Sequence, residues 1–477
     1  MSTSTKKISN GVSSLNELSI TEASKKLAAG EITSVQLVEA CLAEIEKRNP
    51  SLNAFLEVFA DAREQAASAD LRRAKGESHP LLGIPLAIKD NILIEGRTAS
   101  AASKILENYF ATYDATVIKK LKDAGAVFLG RTNMDEFALG GSTENSAFGV
   151  TKNPHDETRV AGGTSGGSAA AVASGMALGA LGSDTGGSVR NPASFCGVVG
   201  FKPTYGAVSR SGLIAAVSSF DQIGPITKTV EDAELIFNTI LGKDSLDSTS
   251  TENSKLKIEN YKKIGVPRTL LTKGVEPEVL AHFESSLEKM RAQGYELVDM
   301  GLPSLDYALS AYYIINFAEV STNLSRFDGV RYGLSLKGES LFDDYARSRG
   351  EGFGAETRRR IMLGTYVLST GYYDAYYGKA TAARTQLRKE FEDALKSVDF
   401  IATPTMPYPA WKVGEKSDPL AAYLADIFTV TANLTGNPAI SIPMGMVERE
   451  GKRLPVGLQL TAAHGDEAAL FAVGKLL

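Results

Sequence analysis

The sequence predicts an α/β fold, and three features of its 477 residues lead there. First, short runs rich in β-branched and apolar residues, Leu82–Ile94 and Val127–Leu129, bracket a helical pattern at Thr116–Ala124 that Gly125 closes. Second, the alternation resumes from Ile264, with an apolar-periodic helix over Pro277–Ala292 and a strand over Glu296–Val298. Third, Phe400–Ala402, Ala439–Pro443 and Val456–Leu460 read as strands that complete the sheet, the last two joined by a turn at Glu450 and Gly451. With 43% hydrophobic and 22% charged residues, the chain can bury a large core in water.

In chain order, residues 1–15 are polar and rich in serine and lysine, which predicts a flexible start; one domain is expected over 16–477. Ser19–Glu22 and Thr33–Gln36 match the capping box, in which side chains satisfy the free N–H groups of a first helical turn. Val38, Cys41, Leu42 and Ile45 then mark an apolar helical face, and Pro50 is expected to end that helix. Leu82–Ile94 reads as a buried strand with Lys89 set into it. Taken alone, that lysine fits an edge strand, its stem along the sheet and its ammonium in water. The loop Arg131–Asn145 gathers Gly140, Gly141 and Ser142, small residues suited to lining a pocket. Lys243–Ser254 is the clearest surface loop, and the tyrosines between Tyr307 and Tyr377 read as core or partner-facing surface.

Composition narrows the function. A net charge of −5 and a pI near 5.7 leave no broad basic field for nucleic acid, which a partner would have to hold. Cys41 and Cys196 lie far apart inside apolar patterns and read as buried free thiols in a reducing compartment. His79, His155, His282 and His464 show no metal-ligand spacing, so no metal is expected. No apolar run approaches the ~18–20 residues of a membrane span and the N-terminus lacks a signal-peptide core, which predicts a cytoplasmic protein.

The chemistry concentrates in Gly162–Thr204, GGTSGGSAAAVASGMALGALGSDTGGSVRNPASFCGVVGFKPT. Two glycine-and-hydroxyl clusters, Gly162–Ser168 and Ser183–Ser188, flank an alanine-rich segment. Neither cluster has the lysine of a Walker loop or the spacing of a dinucleotide fingerprint, and a GxSxG elbow would need a histidine that does not stand out. A serine can instead be activated by a lysine that burial keeps neutral, and Lys89 is the candidate. Backbone N–H groups of Thr185, Gly186, Gly187 and Ser188 are placed to form an oxyanion hole.

Gly162–Thr204, together with PLAIKDN at Pro85–Asn91, resembles the amidase signature family. The resemblance implies that family's fold, a large mixed β-sheet core covered by helices on both faces. The signature core would span about 82–240, and about 260–477 would complete the sheet and the substrate pocket. It also implies a triad: Ser188 as nucleophile, residue 164 as a proton relay in a cis peptide, and Lys89 as the ultimate base. The family's usual GGSSGGS is GGTSGGS here, so Thr164 keeps the relay hydroxyl and adds a methyl group; activity is then expected to be slowed, or Ser165 to share the relay. Asp184 and Arg190 read as a structural pair orienting the loop.

The likeness covers nearly the whole chain and sharpens to one subgroup, the A subunits of the amidotransferases that act on Glu-tRNA(Gln) and Asp-tRNA(Asn). It is carried by NMDEFALGGSTENSAFG (Asn133–Gly149), RRRIMLGTYVLSTGYYDAYY (Arg358–Tyr377) and DIFTVTANLTGNPAISIP (Asp426–Pro443), among other runs. This implies free glutamine as substrate, its α-carboxylate on Arg359 and its α-amino group on Asp426, with Tyr313 a further pocket residue; a register off by one would bring Arg358 or Arg360 instead. It implies a glutaminase without a cofactor of its own that passes ammonia to a B subunit. That partner would bind the misacylated tRNA and use ATP and Mg2+, with a small C subunit bracing the two. Two rival readings are a stand-alone amidase on small amides, against which paired charges at 359 and 426 speak, and an assembly subunit weakened by Thr164.

Overall fold

The computed structural model describes residues 15–252, 262–272, 274–416 and 418–477. Of the expected flexible start, residues 1–14 lie outside this range, as do Asn253 and Ser254 of the expected surface loop. The strands are β1 (Phe55–Val58), β2 (Pro85–Lys89), β3 (Val127–Thr132), β4 (Lys152–Asn153), β5 (Asp156–Val160), β6 (Gly179–Asp184) and β7 (Val199–Lys202). They continue with β8 (Gln222–Thr227), β9 (Lys263–Val266), β10 (Glu296–Asp299), β11 (Phe400–Pro404), β12 (Ala439–Arg449) and β13 (Lys452–Ala462). β4 and β5 form a separate ribbon; the other strands make one 11-stranded sheet in the order β1-β3-β2-β6-β8-β7-β12-β13-β11-β9-β10. The sheet is mixed: β2 runs parallel to β3 and β6, β9 runs parallel to β10 and β11, and the remaining pairs are antiparallel.

Helices flank this sheet, beginning with α1 (Ile20–Ala28), α2 (Ser34–Leu52), α3 (Ala62–Ala74), α4 (Thr116–Asp123), α5 (Gly166–Ala173) and α6 (Arg190–Cys196). One contiguous apolar cluster, from Ile20 through β2, β6 and β8 to Val473, joins both halves of the chain. Both capping boxes form, Ser19 with Glu22 and Thr33 with Gln36. Among the described residues, no helix is long and apolar enough to cross a membrane.

Two local expectations are corrected. Pro50 does not end α2; a proline in a last turn removes only one intrahelical bond, and the helix continues to Leu52 before Asn53 closes it in the left-handed conformation (φ 52°). The apolar run Leu82–Ile94 is a strand only over Pro85–Lys89. After Lys89 the chain turns, Ile92 N–H returning to the Lys89 carbonyl, while the Asp90 carboxylate accepts the N–H groups of Ser100 and Ala102. Nor is Lys89 an edge lysine: β2 lies inside the sheet between β3 and β6, and the side chain is fully buried.

Candidate active site

The parallel pairing of β2 with β6 sets Ile88 opposite Leu181, so the strands deliver Lys89 and Ser183 side by side at their C-terminal ends. The Gly162–Ser168 cluster arrives as the entry to α5, and its glycines answer to space. A Cβ on Gly167 would stand 2.5 Å from the Ala54 carbonyl oxygen and from backbone atoms of Asn133. The Gly163–Thr164 peptide is cis, and Thr164 Oγ1 lies 2.7 Å from Lys89 Nζ. The same amine contacts Ser165 Oγ and Ser183 Oγ, both at 2.9 Å, and the Ser183 carbonyl at 3.2 Å. Burial pulls the Lys89 pKa down to about 7, against the opposing charges of Asp135, Asp184 and Asp221. A large fraction of the amine is therefore neutral near neutrality and able to take a proton.

Ser188 sits on the second cluster, 6% exposed, and its carbonyl accepts the Ser165 N–H at 3.1 Å, which ties the two glycine turns together. Asp184 and Arg190 brace that turn from within. They pair at 2.9 and 3.1 Å with both side chains fully buried, and Arg190 also donates to Asn433 Oδ1, Gln459 Oε1 and the Thr429 carbonyl. Burial alone would raise the Asp184 pKa, but Arg190 overrides it and the carboxyl is held down at about 2. Asp184 also accepts the N–H groups of Gly187 (2.9 Å) and Val189 (3.1 Å). This corrects the expected oxyanion hole, because the Gly187 N–H is already taken. Among the described residues, the N–H groups of Thr185, Gly186 and Ser188 have no protein acceptor.

A cavity of about 330 Å³ opens beside this machinery, lined by Gly140, Gly141, Ser142, Tyr313, Arg359, Arg360, Trp411, Tyr423 and Asp426 among others. That volume is at the small end of the range for small-molecule sites. The Gly140–Ser142 loop segment thus lines a pocket. A narrow space of about 10 Å³, lined by Gly163, Gly186, Gly187 and Ser188, borders it and shares Gly140, Tyr313, Arg360 and Asp426 with it.

The cation that reaches both spaces is Arg360, not Arg359. The Arg360 side chain is only 4% exposed, stacked among the rings of Tyr313, Phe317 and Tyr423. Its Nε donates to Glu356 at 2.7 Å and its Nη1 to Asn316 at 3.1 Å, which leaves Nη2 without a protein acceptor among the described residues. Arg359 is 42% exposed, pairs with the other oxygen of Glu356 and lines only the outer cavity. The physical reason is helical phase: on the helix Ala355–Val367, residue 360 shares the buried face with Thr357, Gly364 and Val367, and residue 359 does not.

Across the cavity, Asp426 accepts the Tyr313 hydroxyl on Oδ2 at 2.6 Å. Burial pushes its pKa up to about 7, opposed by that hydrogen bond and by Arg360. A buried cation and a buried carboxylate thus face one cavity, the arrangement a zwitterion needs once water is excluded. The sequence reading missed Glu356, which holds both arginines and the Tyr423 hydroxyl (2.6 Å); its spacing four residues before Arg360 was the available signal. It also missed Ser183 and Asn91, although both stand inside the quoted runs.

Comparison with known proteins adds to this geometry. The family profile described as Amidase matches residues 36–471. The A subunit of the glutamyl-tRNA(Gln) amidotransferase of Roseiflexus castenholzii is 51% identical over 469 residues, covering 96% of this chain and 95% of that protein. The protein of the same name from Chloroflexus aurantiacus is 50% identical over 473 residues, covering 96% of each. Among solved structures, the A subunit of the glutamyl-tRNA(Gln) amidotransferase of Thermotoga maritima superposes with a TM-score of 0.79 at 42% identity, covering 96% of this chain and 93% of that one. Peptide amidase from Stenotrophomonas maltophilia superposes with a TM-score of 0.80 at 29% identity, covering 96% of each chain.

Proposed function

This chain belongs to the amidase family, and from that premise we propose that it hydrolyses the side-chain amide of glutamine as the ammonia-supplying A subunit of one tRNA-dependent amidotransferase. The observation that carries this reading is the pair Arg360 and Asp426, opposite charges that line both the cavity and the narrow space at Ser188. Peptide and aliphatic amides have no α-carboxylate and α-ammonium to match it. The names of the half-identical relatives support the same reading.

In this mechanism the α-carboxylate of glutamine takes the free Nη2 of Arg360, with Arg359 at the mouth, and the α-ammonium takes Asp426, held by Tyr313. The side-chain amide extends through the narrow part to Ser188. Ser188 Oγ attacks the amide carbon; its proton passes to Thr164, whose own hydroxyl proton goes to the neutral Lys89 amine, 2.7 Å away. The oxyanion is held by the N–H groups of Thr185, Gly186 and Ser188. The Lys89 proton returns through Thr164 to the leaving nitrogen, ammonia departs, and a γ-glutamyl ester remains on Ser188. Water, activated through the same relay, releases glutamate.

The ammonia is consumed elsewhere in a complex with B and C subunits. The B subunit holds the misacylated tRNA and uses ATP and Mg2+ to activate its carboxylate, in keeping with the acidic charge of this chain. The complex works in the cytoplasm. The test is transamidation of charged tRNA by the chain with its co-purified partners. Ser188→Ala is expected to abolish the glutamine-dependent reaction and the formation of glutamate while ammonium salts still support transamidation. Failure of the wild-type complex to convert glutamine to glutamate would overturn the reading.

A further inference from the structure

Lys89 can act as a base only if its lone pair, rather than one of its N–H groups, faces Thr164. Nothing in a lysine fixes this, because the amine rotates freely about its last bond. The surroundings do. Four oxygens lie within hydrogen-bonding distance of Nζ: Thr164 Oγ1 at 2.7 Å, Ser165 Oγ and Ser183 Oγ at 2.9 Å, and the Ser183 carbonyl at 3.2 Å. Ser165 gives its own hydroxyl proton to the Ser183 carbonyl (3.2 Å), so its oxygen can accept one lysine N–H. Ser183 Oγ can accept the other, provided its hydroxyl proton points elsewhere.

That condition is set by Asn91. Its Nδ2 donates to Ser183 Oγ at 2.9 Å, and Asn91 and Ser183 are 2% and 1% exposed. One lone pair of Ser183 Oγ takes the amide N–H and the second takes Lys89, so the hydroxyl proton is directed away from the amine. Among the described residues, the far end of the same amide, Asn91 Oδ1, is buried with no hydrogen-bond partner. We propose that Asn91 is a positioning residue for the base: by holding Ser183 Oγ as an acceptor, it fixes both N–H groups of Lys89 and leaves the amine lone pair for Thr164. The inference rests on the reading of Lys89 as base.

The charged groups acting on Lys89 are Asp135 after β3, Asp184 at the end of β6 and Asp221 before β8. Asp90, in the turn directly after Lys89, pairs with Arg131 of β3, and α5 carries no titratable side chain. Two substitutions at Asn91 therefore move the acid limb of the pH–rate profile in opposite directions. Asn91→Asp adds a carboxylate next to Ser183 and favours the ammonium form, so the limb rises by about one pH unit or more and activity recovers in alkali. Asn91→Ala frees the Ser183 hydroxyl to donate to the amine. The limb then falls while kcat drops roughly 10- to 100-fold with KM unchanged. Adding Ser183→Ala to Asn91→Ala removes the competing donor and costs no more than Ser183→Ala alone, a non-additive cycle.

The experiment measures glutamine hydrolysis against pH by the full chain with its co-purified partners, for wild type, these variants and Lys89→Ala, with thermal midpoints recorded for each. Opposite limb shifts and a non-additive cycle support the proposal. Should an Asn91 variant not fold, the Ser183→Ala profile decides, with an altered acid limb expected. Unmoved limbs, with activity lost only in step with the midpoint, overturn the proposal while Lys89→Ala remains inactive. An active Lys89→Ala overturns the base itself, and the proposal with it.

Discussion

Consider replacing Arg360 by lysine. The lysine stem keeps its place among Tyr313, Phe317 and Tyr423, and one positive charge stays beside Glu356, so the buried carboxylate is not stranded and the fold is spared. What goes is the fork: Nε on Glu356, Nη1 on Asn316 and the open Nη2 cannot be reproduced by a single ammonium. Losing one charge-assisted hydrogen bond to the substrate carboxylate is worth about 1.5–3 kcal/mol, which is roughly a 10- to 150-fold fall in kcat/KM for glutamine. Because that bond exists in ground and transition states alike, most of the loss should be in KM. Arg359→Ala is the control. Its pair with Glu356 is 42% exposed on the arginine side, and such contacts are worth about 0–1 kcal/mol, so kcat/KM should move by less than about fivefold. Steady-state kinetics with glutamine decide it. If Arg359→Ala costs more than Arg360→Lys, the assignment of the substrate grip to Arg360 is refuted.

Thr164→Val, which removes the hydroxyl and keeps the shape, should lower kcat by roughly 10²- to 10⁴-fold, whereas Thr164→Ser should keep activity within about threefold; both are read as glutamate release. As pH rises through 7, kcat/KM should climb, since both Lys89 and Asp426 have pKa values near 7 and both must lose a proton to work. Asp426→Asn should make that climb shallower. Asp184→Ala strands the buried Arg190 and frees the 187–189 backbone, and should destabilise by about 3–5 kcal/mol in denaturant unfolding. Gly187→Ala puts a Cβ 2.5 Å from Thr429 Oγ1 at a φ of +133°, so activity should vanish even if the thermal midpoint holds.

How far the site could be read beforehand depended on the range of its contacts. Thr164, Ser165 and Ser188 stand in glycine-rich runs whose local spacing marks unusual backbone; the structure brings Thr164 and Ser165 to Lys89 at the end of β2 and ties the Ser188 carbonyl to the Ser165 N–H. Arg360 was not separable from its neighbours, because three consecutive arginines carry no period of their own. The phase is set at Gly364, where a Cβ would lie 1.8 Å from the Phe317 carbonyl oxygen. That close crossing turns residue 360, one helical turn earlier, toward the cavity. The occupied Gly187 N–H was hidden for a similar reason: an aspartate three residues earlier is an ordinary turn signal, and only coordinates say which backbone group it captures. The interior place of β2 follows from strand order, which no local pattern encodes.

The turn that carries Ser188 is buttressed from far along the polypeptide. Arg190 donates to the Thr429 carbonyl and to Gln459, 239 and 269 residues downstream, Thr429 Oγ1 holds the Gly186 carbonyl at 2.6 Å, and Asn433 reaches Asp184 at 2.9 Å. On a ribosome, Lys89, Thr164 and Ser188 emerge long before those buttresses exist. Closing such distant contacts is a late and slow event in folding. A growing chain therefore carries every hydrolytic side chain without a working hydrolytic turn, and glutamine is safe from it until the last strands of the sheet have docked.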